Sequence, residues 1–77
     1  MIEILFFADL QEAVGKSKIT IDDDGITVNE LKDKWLATYE LPTLDQAMVA
    51  INEEYATEDA VISRGDVVAF IPPVSGG

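Results

Sequence analysis

The sequence predicts an α+β domain: a mixed, mostly antiparallel sheet with one main helix on one face. Three observations lead there. Runs at Ile2–Phe7, Lys18–Asp22, Gln46–Ile51 and Val67–Ile71, with a short return at Tyr55–Thr57, have the apolar and β-branched composition of strands. A single segment, opening at Thr27, carries a full set of helix start signals. The chain has 77 residues, one domain's worth, and a domain of that size buries only about 60% of its unfolded surface.

In chain order, Ile2, Ile4 and Phe6 alternate with Glu3, Leu5 and Phe7. Glu3 marks its own face as the wet one, which leaves Leu5 and Phe7 as apolar side chains on the solvent side. Asp9 to Gly15 reads as a short helical turn, with Asp9 as N-cap, Glu12 reaching back and Gly15 as the stop. Ile19 and Ile21 share a face of the second strand, and so short a connection makes the first two strands antiparallel neighbours. Asp22-Asp23-Asp24-Gly25 is a turn; it lacks the twelve-residue loop spacing and the closing glutamate of an EF-hand calcium site, and no metal is expected.

Thr27 and Glu30 form a capping box at the start of the main helix, and Ile26 and Leu31 are placed to staple it. Val28, Leu31, Trp35, Leu36 and Tyr39 make the apolar stripe that covers the sheet, with Glu30 and Lys34 paired on the outer face. Pro42 ends the helix by pushing Leu41 out of helical conformation. Asn52 joins the third strand to its short return, and Thr57 to Arg64 reads as a loop holding one helical turn. Arg64-Gly65-Asp66 turns the chain into Val67–Ile71, where Pro72 and Pro73 stop the ladder because neither has an N–H to give. One helix covers one sheet face and leaves the other bare. With the first and last strands side by side in parallel at the centre, this order is that of a ubiquitin-like β-grasp.

Composition narrows the chemistry. There is no cysteine and no histidine, which removes thiol nucleophiles, disulfides and imidazole catalysis together. Fifteen acidic residues against five basic ones give a net charge of −10. That charge repels nucleic acid and suits a basic protein partner. No apolar run approaches the roughly 20 residues of a membrane span, and the first residues lack a signal peptide's basic region, so a cytoplasmic protein is expected.

Residues 1–71 are expected to form the domain and residues 72–77 an extended tail. At about 3.3 Å per residue, those last residues reach at most about 20 Å. Gly76 and Gly77 leave the terminal carboxylate on a thread with no side chains, able to enter a channel where any Cβ would clash. Val67, Ala69 and Ile71 point away from the core if Val68 and Phe70 point into it. Together with Leu5 and Phe7, they suggest a docking patch.

The ending Gly65-Asp66-Val67-Val68-Ala69-Phe70-Ile71-Pro72-Pro73-Val74-Ser75-Gly76-Gly77, with the opening Leu5-Phe6-Phe7-Ala8, closely resembles the small, sulfur-carrying subunits of molybdopterin synthase. The resemblance implies that the Gly77 carboxylate is adenylated by a ubiquitin-activating-type enzyme, which consumes ATP, and is then converted to a thiocarboxylate with sulfur from a donor protein. It implies a subunit that is no enzyme alone and holds no permanent cofactor. Its tail would enter the large catalytic subunit within a heterotetramer and donate sulfur to a pterin precursor, building the dithiolene of the molybdenum cofactor. On the matching positions, Leu5, Phe7, Phe70 and Ile71 are the expected docking residues and Pro72, Pro73, Val74 and Ser75 the channel contacts, with Gly76 and Gly77 at the reacting end. The same tail chemistry would serve another β-grasp sulfur carrier, for thiamine, cysteine or tRNA thiolation, or a ubiquitin-like modifier that ends in an isopeptide bond.

Overall fold

The computed structural model describes residues 1–39, 41 and 44–72. Among them the elements run β1 (Ile2–Phe6), α1 (Ala8–Val14), β2 (Lys18–Ile21), β3 (Ile26–Thr27), α2 (Val28–Leu31), a π-helical stretch Lys32–Leu36, a 3-10 turn Leu44–Gln46, β4 (Met48–Ile51), β5 (Glu54–Ala56), β6 (Val61–Ile62) and β7 (Val67–Ile71). The main sheet has the order β2-β1-β7-β4-β5. β1 and β7 are parallel, pairing Glu3 with Val67 through Phe6 with Phe70, and the other pairs are antiparallel. This is the mixed sheet expected from the sequence, with the first and last strands at its centre.

The core lies between the sheet and the helical layer. Ile2, Ile4 and Phe6 of β1, Val68 and Phe70 of β7, and Val28, Leu31 and Leu36 of the helical segment are almost wholly buried. Phe6 and Phe70, cross-strand neighbours in the parallel pair, stack with ring centroids 6.1 Å apart, a separation at which aromatic pairs attract beyond their buried area.

The capping box at Thr27 is present in full. Glu30 N–H donates to the Thr27 hydroxyl oxygen and Thr27 N–H donates to Glu30 Oε1, at 3.1 and 2.9 Å. Glu30 is therefore engaged at the helix start rather than with Lys34, which instead reaches Asp23 at 2.9 Å. The helix is α-helical only to Leu31 and continues in π register. Lys32 falls within the apolar stripe, one turn beyond Val28. Its side chain is 7% exposed, with the ammonium carried out to Glu58 Oε1 at 3.0 Å, as long cationic side chains do when their stems cover apolar surface.

Three expectations are corrected. The first helix is capped by Phe7 rather than by Asp9, with no side-chain bond at the cap, because β1 runs to Phe6 and leaves one extended residue before the helix; Asp9 lies in its first turn. Its stop at Gly15 is as expected, at φ 85°. The segment between Thr57 and Arg64 holds a strand, β6, which pairs with β3 in a two-stranded ribbon of its own. The third main strand begins at Met48 rather than Gln46, since Leu44–Gln46 forms the 3-10 turn. Pro42, expected to end the main helix, lies outside the described residues.

The burial pattern separates the two aromatic residues that the sequence assigns to docking. Phe70→Ala is expected to lower the unfolding free energy by about 3–5 kcal/mol, a large share of a small domain's stability. Phe7→Ala, at an exposed position, should cost no more than about 0.5 kcal/mol. Urea unfolding followed by Trp35 fluorescence measures both.

Candidate functional site

The strand that leads to the tail is fixed at its start by a compact polar network. Gly65, at φ 87°, supplies the left-handed turn that brings Asp66 into place. Ser63 N–H donates to Asp66 Oδ2 at 2.8 Å, and the Asn52 amide donates to Asp66 Oδ1 at 2.9 Å. Asn52 Oδ1 accepts from Val67 N–H at 3.0 Å, while Asn52 N–H donates to the Val67 carbonyl at 2.8 Å. One asparagine, in left-handed conformation at φ 52°, thus ties the β4–β5 turn to the first residue of β7. Further bonds join the start of β7 to the beginning of the chain: Gly65 N–H donates to the Met1 carbonyl and Glu3 N–H to the Asp66 carbonyl. The Ser63 N–H, and after it the Asn52 amide, holds the Asp66 carboxyl below its ordinary value, because both bonds favour the charged form.

From that anchor β7 alternates. Val68 and Phe70 are fully buried, and Val67, Ala69 and Ile71 are half-buried on the opposite face. The register sets Leu5 beside Ala69, Ala69 beside Ala50, and Ile71 beside Met48. Tyr55, opposite Ala50, extends the same face. Phe7 is 45%, Met48 49% and Tyr55 73% exposed, so the face without a helix carries a broad apolar surface across four strands. A recess of about 390 Å³ lined by Leu5, Asn52, Glu53 and Val67 lies on it.

Leu5, Phe7 and Ile71 therefore stand on one face, as expected. Phe70 does not: its ring is buried against Phe6 and offers a partner no surface, so its assignment to docking is corrected to core. Pro72 is half-buried where the chain leaves the sheet. Pro73, Val74, Ser75, Gly76 and Gly77 lie outside the described residues. Met48 and Tyr55 were not anticipated from the sequence. Two-fold alternation in Met48–Ile51 was the available signal, but no charged residue in that strand said which face was wet.

Among the described residues no group of three or more carboxylates, histidines or cysteines is placed to hold a metal ion, and no helix is long and apolar enough to cross a membrane. What the arrangement offers is a surface and an exit. An apolar face lies along β7, and among the described residues no set of side chains converges on one reacting atom.

The profile of the ThiS family matches residues 4–77. The chain belongs to the ThiS family. A relative within reach of this ThiS-family chain is the molybdopterin synthase sulfur carrier subunit of Haemophilus influenzae, 34% identical over 84 aligned positions that span all of both chains. The crystal structure of the small archaeal modifier protein SAMP1 from Haloferax volcanii superposes with a TM-score of 0.77 at 31% identity, covering 99% of this chain and 98% of that one. A chain in the structure of the complex of subunits 1 and 2 of the molybdopterin-converting factor of Helicobacter pylori superposes with a TM-score of 0.62. It is 22% identical, over 99% of this chain and 97% of that one, and shows the shared fold.

The polar network has a pH signature. A carboxyl held below its ordinary value of 3.8 stabilises the fold in full above that value, and the contribution is lost as pH falls through the lower, folded value. Asp66→Ala is accordingly expected to lose about 1 kcal/mol at neutral pH. The gap in melting temperature between the variant and the parent should close as the solution is acidified below 3.8, which a series of thermal melts checks.

Proposed function

We propose that this chain is the sulfur carrier subunit of a molybdopterin synthase and works in the cytoplasm. The observation that carries the reading is the identity to the Haemophilus influenzae carrier along the whole length of both chains. The open apolar face beside the departing tail supports it, because a protein with no histidine or cysteine has to bring its one reactive group to machinery supplied by others.

That group is the Gly77 carboxylate. A carboxylate is a poor electrophile, since its negative charge repels nucleophiles and oxide is a poor leaving group. An activating enzyme removes the obstacle. One carboxylate oxygen attacks the α-phosphorus of ATP, pyrophosphate departs, and the acyl-adenylate carries AMP as leaving group. A donor protein supplies sulfur at the sulfide level: hydrosulfide attacks the carbonyl carbon, the C–S bond forms, the C–O bond to AMP breaks, and AMP and a proton depart to leave the thiocarboxylate. In the large subunit the thiocarboxylate sulfur attacks an oxygen-bearing carbon of the pterin precursor; the C–S bond forms and that carbon's C–O bond breaks, the oxygen leaving as water or with the phosphate. Hydrolysis of the acyl–sulfur bond returns the Gly77 carboxylate and leaves the sulfur on the substrate; a second carrier completes the dithiolene. Leu5, Phe7 and Ile71 hold the carrier on the large subunit, and Pro72 to Ser75 stiffen the tail that enters it.

A second reading is favoured by the 31% identity to the Haloferax volcanii modifier: the adenylated tail could be passed to a lysine amine, giving an isopeptide bond. Since the last basic residue is Arg64, trypsin would leave residues 65–77 as the branch on a modified lysine.

Intact-mass measurement on protein from cells that hold the pathway separates the two readings. The carrier gains the mass difference between sulfur and oxygen, and the gain disappears when Gly77 is deleted. No gain after incubation with ATP, a sulfur donor and the adenylating enzyme, together with branched lysines carrying residues 65–77, would replace the carrier by the modifier. For docking, Ile71→Asp is expected to weaken binding to the large subunit by about 2–4 kcal/mol while the melting temperature stays within a few degrees; calorimetric titration measures the loss.

A further inference from the structure

Cationic side chains are few in this chain and they are not spread evenly. Of five basic residues, Lys32 is buried and tied to Glu58 and Arg64 lies at the turn before β7, paired with Asp24. The other three, Lys16, Lys18 and Lys34, line one groove of about 650 Å³ between β2 and the helical segment. Ile19, Ile21, Trp35 and Tyr39 form its apolar wall. The groove lies at the free edge of β2, with Ile19 and Ile21 on its helix side and Lys18, the cross-strand partner of Leu5, on its open side.

β2 is an outer strand of the sheet, and the phase of its ladder shows which backbone groups are unpaired. Phe6 N–H donates to the Ser17 carbonyl at 2.9 Å. With Ile4 opposite Ile19 and Ile2 opposite Ile21, these are the hydrogen-bonded pairs of an antiparallel ladder, and the alternate residues Lys18 and Thr20 turn their N–H and C=O outward. An edge of this kind accepts another strand. Side chains of an added strand would alternate between the apolar wall of Ile19, Ile21, Trp35 and Tyr39 and the side where Lys18 stands.

We infer that the β2 edge and its groove bind an extended peptide in which apolar residues alternate with or are flanked by acidic ones, as an added strand on Lys18–Ile21. Charge selects the occupant. The chain as a whole carries −10 and repels anionic partners, yet here three ammonium groups meet at one strip. Two are already shared with carboxylates, Lys34 with Asp23 and Lys18 with Glu3 at 3.4 Å, and each keeps further N–H donors. Lys16 has no ion-pair partner among the described residues. Asp23 also accepts from the Trp35 indole N–H at 3.1 Å, which fixes the indole plane as one wall. The open, elongated groove beside unpaired strand groups suits a peptide rather than a compact anion.

The test is an NMR titration of the ¹⁵N-labelled full chain with a short synthetic peptide of alternating valines flanked by glutamates. The expected result is saturable shifts of the Lys18 and Thr20 amides and the Trp35 indole N–H, with affinity falling as salt rises. Lys16→Glu with Lys34→Glu should weaken binding about tenfold or more, with Ala69 and Ile71 amides unmoved and the melting temperature preserved. Equal binding of a peptide in which glutamine replaces glutamate would overturn the inference, as would shifts confined to the open face. If ATP moves the Trp35 indole while the peptide does not, the groove is a small-anion site instead. No shift with any probe would leave the lysines as guards against self-pairing of the edge.

Discussion

A sheet with one helical layer can bury only one of its faces, and side chains along a strand alternate between faces with no exception short of a bulge. Every feature of the candidate site descends from those two facts. In β7, Val68 and Phe70 are committed to the core, which obliges Val67, Ala69 and Ile71 to face outward whatever their polarity. An apolar outward row is costly in isolation, and its extension onto Leu5, Met48 and Tyr55 makes it a surface awaiting cover. The strand that presents the tail and the strand that anchors the core are the same strand. The outward row of β7 is therefore coupled directly to the integrity of the fold.

Much of this was legible in the sequence, for identifiable reasons. The capping box of Thr27 and Glu30, the stop at Gly15 and the turn at Gly65 are local signals whose physics is complete within a few residues, and each is found in place. Parity in β1 and β7 predicted which residues face out. What escaped were features decided at long range. β6 has two residues, too few to show a period, and exists because β3 lies opposite. Lys32 reads as a surface residue until Glu58, far along the chain, is found to receive its ammonium. The family resemblance placed Phe70 at the interface, whereas parity places it in the core, and the stacked ring on Phe6 agrees with parity.

The proposed carrier role would leave catalysis to partner proteins, and the distribution of charge fits that division. Acidic residues outnumber basic ones by fifteen to five, favouring encounter with basic proteins. Three of the four lysines instead line the groove at the β2 edge. Asp66 is used differently from the other acids: it takes two hydrogen bonds where β7 begins, so its charge is structural rather than a lure.

The parallel pairing of β1 with β7 has a consequence for how the molecule is made. β7 comes after the six other described strands in the sequence, so β1 has to wait, its buried face exposed, until Val67–Ile71 have been synthesised. Pairing of such distant segments is slow to form, and a chain cut short before Val67 loses the middle of its sheet rather than an ornament at its end. Synthesis thus supplies its own inspection: a chain that holds this sheet is one that was completed at least through β7.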